Sequence, residues 1–201
     1  MTCKRFFAVY FAFFVVLLSE NSMKKSLPFL AATLLLWAGL ALAHGPTRQK
    51  YESSIHINAS PDKVWAVVGD FAHPEQWLPQ VESTTAQGGN EKGATRELKL
   101  KGGGSLKEEL VNYDAAQFTL KYKLDDPTDP KVFPVNNYSS TLKVESDGSG
   151  GSKVEWKAAY YRWFLNNNPP PGQNEEAANA AVSKIYQEGL ANLKSVVESQ
   201  K

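Results

Sequence analysis

The sequence predicts an α+β domain in which a curled antiparallel sheet of about seven strands wraps around one long C-terminal helix, with two short helices after the first strand. Three observations carry this. Apolar and polar residues alternate in run after run between Tyr51 and Tyr160, glycine-rich turns separate several of those runs, and one long stripe of helical period follows residue 174. A sheet with one apolar face needs a cover, and only the long helix is large enough to supply it. The space between the two is the natural ligand cavity.

The first strand places Tyr51, Ser53, Ile55 and Ile57 on one face and Glu52, Ser54, His56 and Asn58 on the other. Ser60 and Pro61 then read as an N-cap followed by proline at the first helical position. Val64, Trp65, Val67 and Val68 follow at helical spacing as far as Gly69. Phe71 to Pro79 reads as a bend and a second short helix. Gly88-Gly89-Asn90 and Gly102-Gly103-Gly104 are turn signals around an alternating run with Ala94, Arg96, Leu98 and Leu100 in phase. Leu106, Glu108 and Leu110 continue the apolar phase, followed by Phe118, Leu120, Tyr122 and Leu124. Further on, Tyr138, Ser140, Leu142 and Val144 alternate, as do Val154, Trp156, Ala158 and Tyr160. The run 125–134 and the stiff linker NNNPPPG at 166–172 read as rim loops, with Val132 and Phe133 as an apolar contact for a partner. Asn174 caps the final helix, Glu175 and Glu176 suit its first turn, and its stripe reads Ala178, Ala181, Val182, Ile185, Gly189, Leu193 and Val196.

The front of the chain lies outside this fold. Met23, Lys24 and Lys25 form a basic start, residues 27–42 an apolar run, and Ala41-Leu42-Ala43 a small-x-small cleavage pattern. Residues 23–43 thus read as a secretory signal peptide cleaved after Ala43, which predicts a periplasmic protein. Residues 1–22 read as an upstream extension or mis-called start, with a two-part membrane anchor as the alternative. Residues 44–50 form the mature N-terminal arm, and 51–199 the folded domain. Residues 1–43 hold four of the 22 basic and one of the 21 acidic residues, leaving 18 against 20. A net charge of −2 makes no case for nucleic acid, and no membrane contact is expected after cleavage. The single cysteine, Cys3, is lost with the leader, so an ordinary core must hold the domain.

Several segments resemble a known superfamily: SPDKVWAVVGDF at 60–71, the Trp77-Leu78-Pro79 bend, GATRELKL at 93–100, GGSLKEEL at 103–110, Tyr113-Asp114, PVNNYSSTLKV at 134–144 and VEWKAAYY at 154–161. They are similar to the START-like (SRPBCC) superfamily, in its polyketide cyclase/dehydrase-like branch, and within it to the MxaD-type periplasmic proteins of bacterial methanol oxidation. The resemblance implies a helix-grip fold with an internal pocket. It also implies an accessory role beside methanol dehydrogenase or its cytochrome. The chain departs from the family at the bend, where Trp77-Leu78-Pro79 stands in place of Trp-His-Pro and His73 lies four residues earlier.

The sharpest internal signal is a charged pair in the apolar phase of two consecutive strands. If residues 101–103 form a three-residue turn, Arg96 faces Glu108 and Leu98 faces Leu106, whereas a two-residue turn would put the apolar faces on opposite sides of the sheet. Two readings stand together. The pair either anchors a ligand's polar group or satisfies only itself as a wall salt bridge. Tyr122, Tyr138, Trp156 and Tyr160 share the phase, as aromatic walls for an apolar ligand or as plain core. Trp77 and His73 sit at the expected rim. His44, with a free amino terminus after cleavage, could chelate copper with His56 or His73 as partners. No metal site or cofactor is expected beyond that.

The mature chain holds no cysteine, no G-x-S-x-G elbow, no H-E-x-x-H and no P-loop. The residues predict an exported, non-catalytic binding protein for a small hydrophobic or amphipathic ligand, and the resemblance alone implies its accessory role in methanol (alcohol) oxidation. The alternative is a cyclase, dehydratase or hydrolase working in the same pocket by acid and base through Glu108, a tyrosine and His73. Copper handling through His44 is a third reading.

Overall fold

The computed structural model describes residues 45–200; the upstream extension, the leader and His44 lie outside the described residues. Seven antiparallel strands form one sheet: β1 Gln49–Ile57, β2 Val81–Gln87, β3 Thr95–Leu100, β4 Ser105–Asp114, β5 Thr119–Leu124, β6 Val135–Ser146 and β7 Ser152–Arg162. Their spatial order is β1-β7-β6-β5-β4-β3-β2. Strands β2 to β7 are thus a meander, while β1 lies at the edge opposite β2. Helix α1, Pro61–Val68, and a 3-10 turn, Pro74–Gln76, connect the two edges. Helix α2, Glu175–Ser199, packs against β1 and β7. This is the expected curled sheet around a long C-terminal helix.

Alternation decides which strand face is buried. In β3, Arg96 and Leu98 point inward and Glu97 and Lys99 outward; β5 repeats the pattern with Leu120, Tyr122 and Leu124 against Lys121 and Lys123. The outer face is solvated by cross-strand ion pairs such as Lys123–Glu109, which contribute little to stability. Two bulges re-aim side chains. Asn137, with φ 49° and its N–H donating to Asp126 Oδ2, turns Tyr138 into the core two residues before Ser140. A second irregularity between Leu110 and Asn112 precedes Tyr113, whose ring lies against Trp65.

Helix α1 begins at Pro61 and stops at Gly69, whose φ of −77° is open to any residue. Glycine is needed there for space, because a Cβ would lie 2.6 Å from the Trp65 ring. Ser60 occupies the N-cap but its hydroxyl makes no capping bond. Asn174 does cap α2, its Oδ1 accepting from the Ala177 N–H at 3.0 Å.

Three expectations need correction. The buried stripe of α2 is Ala178, Val182, Tyr186, Gly189, Leu190, Leu193 and Val197, with Ala181, Ile185 and Val196 only half-buried at its edge. The stripe follows 3.6 residues per turn from Ala178 and so reaches Tyr186 and Val197. Phe133 is no partner contact, because it is buried with its ring 5.5 Å from that of Tyr138. Val132 lies half-buried against Gly104 in the β3–β4 turn. The NNNPPPG segment is more than a stiff spacer. Arg162 ties its approach down, donating to the carbonyls of Phe164 and Asn166 and to Glu175 Oε2.

Gly189 sets how closely α2 approaches the sheet, since a Cβ there would lie 2.8 Å from Leu78 Cδ2 and 3.1 Å from Trp156. Replacing a mid-helix glycine ordinarily recovers up to ~1 kcal/mol of helix propensity. Here crowding prevails. Gly189→Val is expected to lose about 1–3 kcal/mol in urea denaturation, and a gain in stability would show that the contact is slack.

Candidate functional site

The β3–β4 register pairs Arg96 with Glu108 and Leu98 with Leu106 around the three-residue turn, as the parity argument requires. Both charged residues are buried, at 6% and 7% exposure. Arg96 Nε donates to Glu108 Oε2 at 2.5 Å, and Nη1 donates to the Phe71 carbonyl at 2.9 Å. The guanidinium carbon lies 4.1 Å from the Phe71 ring centroid and 5.1 Å from that of Tyr122, so cation–π attraction replaces some of the hydration the cation gave up. Burial pushes the Glu108 carboxyl above the usual glutamate range, and the Arg96 charge pulls it part of the way back.

Beyond this pair lies a hydroxyl network centred on Trp156. The indole Nε1 donates to Ser140 Oγ at 2.7 Å and to the Tyr122 hydroxyl at 3.2 Å, and the ring stacks on Tyr186 at 3.8 Å with its edge toward Trp77. Ser140 gives its proton to the Lys157 carbonyl at 3.0 Å. It must therefore accept from Tyr186, 2.7 Å away, which in turn accepts from Tyr138 at 2.8 Å. Proton direction is thus set from Tyr138 through Tyr186 to Ser140. Burial raises all these phenols: Tyr122 to about 12, Tyr138 and Tyr186 well above 10. They are donors and acceptors at neutral pH, not bases.

Sheet and helix enclose a narrow cavity of about 40 Å³ lined by Leu98, Leu106, Glu108, Tyr122, Tyr138 and Trp156 on the sheet, Phe133 from the 125–134 loop, Leu78 and Gln80 from the bend, and Ile185 from α2. It admits about three water-sized atoms. The internal hydrophobic pocket expected between sheet and helix is a small one in this structure. A wider groove of about 630 Å³ runs along the same strands and is bordered by Arg96 and Glu108 as well, but its exposed walls are Glu97, Lys107, Glu109 and Lys123. Those are solvated side chains of the opposite phase.

Among the expected site residues, Glu108, Tyr122, Tyr138 and Trp156 line the inner cavity, and Arg96 adjoins it through Glu108. Trp77 is buried in the core, held by its edge contact to Trp156 and by Asn192, which donates to the Trp77 carbonyl. Tyr160 is buried further along and donates to Asn179. His73 stands exposed, its Nδ1 2.8 Å from Asp70 Oδ2, an interaction that raises its pKa. It is not among the cavity-lining residues, so the structure does not join it to Glu108 for acid–base work. His56 faces outward from β1 opposite Lys153. Among the described residues no three His, Cys, Asp or Glu side chains gather as metal ligands.

Ser140, Tyr186 and Gln80 belong to the site and were not foreseen. Ser140 stood in the apolar phase of β6, where a small hydroxyl draws no notice. Tyr186 lies four residues after Val182, a spacing that could have found it. Gln80 carried no signal, since its role depends on where the bend places it.

The raised Glu108 pKa has a consequence for stability. A carboxyl whose folded value exceeds its unfolded value near 4.5 contributes stability that is complete below about pH 4.5 and is lost as pH rises through the folded value. The stability difference between the native protein and Glu108→Gln, measured by denaturation across this range, should therefore shrink with rising pH. A difference that grows would mean that Arg96, not burial, governs Glu108.

With fold and site in place, the chain can be set beside known proteins. Over residues 48–198 it matches the family described as polyketide cyclase / dehydrase and lipid transport. No curated protein matches it. Among solved structures it is similar to an uncharacterized protein from Bacillus thuringiensis, with 28% identity, 74% of this chain and 98% of that one covered, and a TM-score of 0.61. It is also similar to the protein XoxI from Bacillus cereus, with 27% identity, coverages of 74% and 94%, and a TM-score of 0.61. The Zhui aromatase/cyclase from Streptomyces sp. R1128 shares the fold, with a TM-score of 0.64 over 77% of this chain and 96% of its own at 15% identity. The helix-grip architecture, the sheet register and a family match across nearly all the described residues agree: the chain belongs to the polyketide cyclase/dehydrase and lipid transport family.

Proposed function

We propose that the chain is a non-catalytic binding protein whose inner cavity receives the polar end of a small, largely apolar ligand. One observation carries the reading: an Arg–Glu pair is buried beside a cavity whose other walls are mainly leucines and aromatic rings. Burying two charges brings a desolvation penalty that their mutual attraction often fails to recover, so such a pair is weak evidence for a stabilising role. A polar group in an apolar cleft is what orients a ligand. Because the cavity is narrow, a ligand larger than about three heavy atoms must leave its remainder at the mouth or displace Leu78, Gln80 or Ile185.

The family description supports lipid-like or polyketide-like ligands as much as chemistry on them. The phenols favour binding over catalysis, since burial raises their pKa values further above the ordinary tyrosine range and they hold their protons at neutral pH. The proposal extends to export and to an accessory role beside methanol dehydrogenase or its cytochrome. Its support is the leader pattern ending at Ala43 and the likeness of the quoted segments to the MxaD-type proteins.

Native mass spectrometry of protein purified from the periplasm tests the reading. The expected result is a chain beginning at His44 that carries a non-covalent organic ligand, and a folded Arg96→Met, Glu108→Gln variant that has lost it. A bare mass for the native protein would sink the binding reading, and a retained leader would sink the export.

A further inference from the structure

Among the described residues, one buried side-chain polar atom has no hydrogen-bond partner: Gln80 Oε1. Gln80 lines the inner cavity. Reversing the amide would not relieve it, because Nε2 donates to Glu188 Oε2 at 2.7 Å and a carboxylate there demands a donor. The oxygen is therefore held in place as an acceptor. Leaving a buried acceptor unpaired is unfavourable, and native proteins seldom do so without a ligand, a water or a functional reason.

No donor of the protein lies within hydrogen-bond reach of this oxygen, and several donors around the cavity already have partners. Trp156 Nε1 serves Ser140 and Tyr122, the Tyr138 hydroxyl serves Tyr186, and Arg96 serves Glu108 and the Phe71 carbonyl. A ligand that satisfies Gln80 must bring its own N–H or O–H. It must also be small, since the cavity is about 40 Å³, and apolar beyond that group, since Leu78, Leu98, Leu100, Leu106 and Phe133 line the space. Its charge is constrained as well. The charge of Glu108 is already matched by Arg96, so an ammonium ion would enter the low-dielectric space beside a guanidinium without a second buried carboxylate to balance it.

We infer that the cavity selects a neutral hydroxyl donor: the alcohol group and first two carbons of its ligand enter, and the hydroxyl donates to Gln80 Oε1. This inference rests on the binding reading above and specifies the chemistry of that site. Glu188 takes part as a positioning residue, since its hold on Nε2 fixes which end of the buried amide is the unpaired acceptor.

Ethanol and acetonitrile separate the possibilities. Each has three heavy atoms, but only ethanol has a hydroxyl proton to donate. Chemical-shift titration of the Gln80 side-chain amide and the Leu98 and Leu106 methyls, in the full mature protein, should show ethanol saturating the site in the millimolar range or weaker. Acetonitrile should bind about tenfold more weakly, the worth of one hydrogen bond. Gln80→Leu should abolish the difference between the two, and Glu188→Ala should reduce it. Equal binding of both molecules by the native protein, saturable binding of neither (a cavity that holds water only), or selectivity that survives Gln80→Leu would each overturn the inference. Its failure is distinct from that of the binding reading: a native ligand seen by mass spectrometry beside unselective titrations would leave the binding reading standing and remove only the donor rule.

Discussion

The contact on which the site depends is the stack of Trp156 on Tyr186. It joins the middle of β7 to the middle of α2 at 3.8 Å, and nearly every other inner element meets one of these two rings. Trp77 abuts the indole edge, Ser140 and Tyr122 receive its N–H, and Tyr138 reaches Tyr186 through its hydroxyl. Gly189 makes this possible by offering no side chain where Leu78 and Trp156 come closest to the helix. The height of the helix above the sheet is set at that seat.

Around this rigid centre the structure holds polar groups in two ways. The tyrosine–serine network bonds internally, from Tyr138 through Tyr186 to Ser140 and on to the Lys157 carbonyl, and so specifies one packing of the helix on the sheet. The Arg96–Glu108 pair differs. It is buried among Phe71, Tyr122 and the cavity lining, and its burial raises Glu108. A self-satisfied network explains a fold, whereas a desolvated charge pair beside a cavity is better explained by something that enters it.

Much of this is legible in the amino-acid sequence. The period-two pattern assigned inner and outer faces on β3 to β7, and parity alone placed Arg96 opposite Glu108, because a slip of one residue would have turned leucines to water. Strand β2, Val81–Gln87, was hidden: VESTTAQ has almost no apolar alternation, as suits an edge strand. The roles of Tyr186 and Gln80 depended on tertiary placement. Which of two adjacent helical positions faces inward at residues 185 and 186, and where a bend leaves an amide oxygen, are decided by packing across more than 100 residues of chain, as the Gln80–Glu188 bond shows. The loop 125–134 misled for a related reason. It looked like an open rim, but Thr128 folds it inward by donating to the carbonyls of Phe133 and Val135, which buries Phe133.

On the proposed function, the buried pair is kept for a ligand rather than for stability. Comparing the unfolding free energy of Arg96→Met with that of Arg96→Met, Glu108→Leu tests it most directly. The single substitution strands a buried carboxylate and should lose about 3–5 kcal/mol, while the double one, with both charges gone, should fold as stably as the native protein or more so. A double variant as unstable as the single one would show that the pair holds the fold together, and would contradict the account.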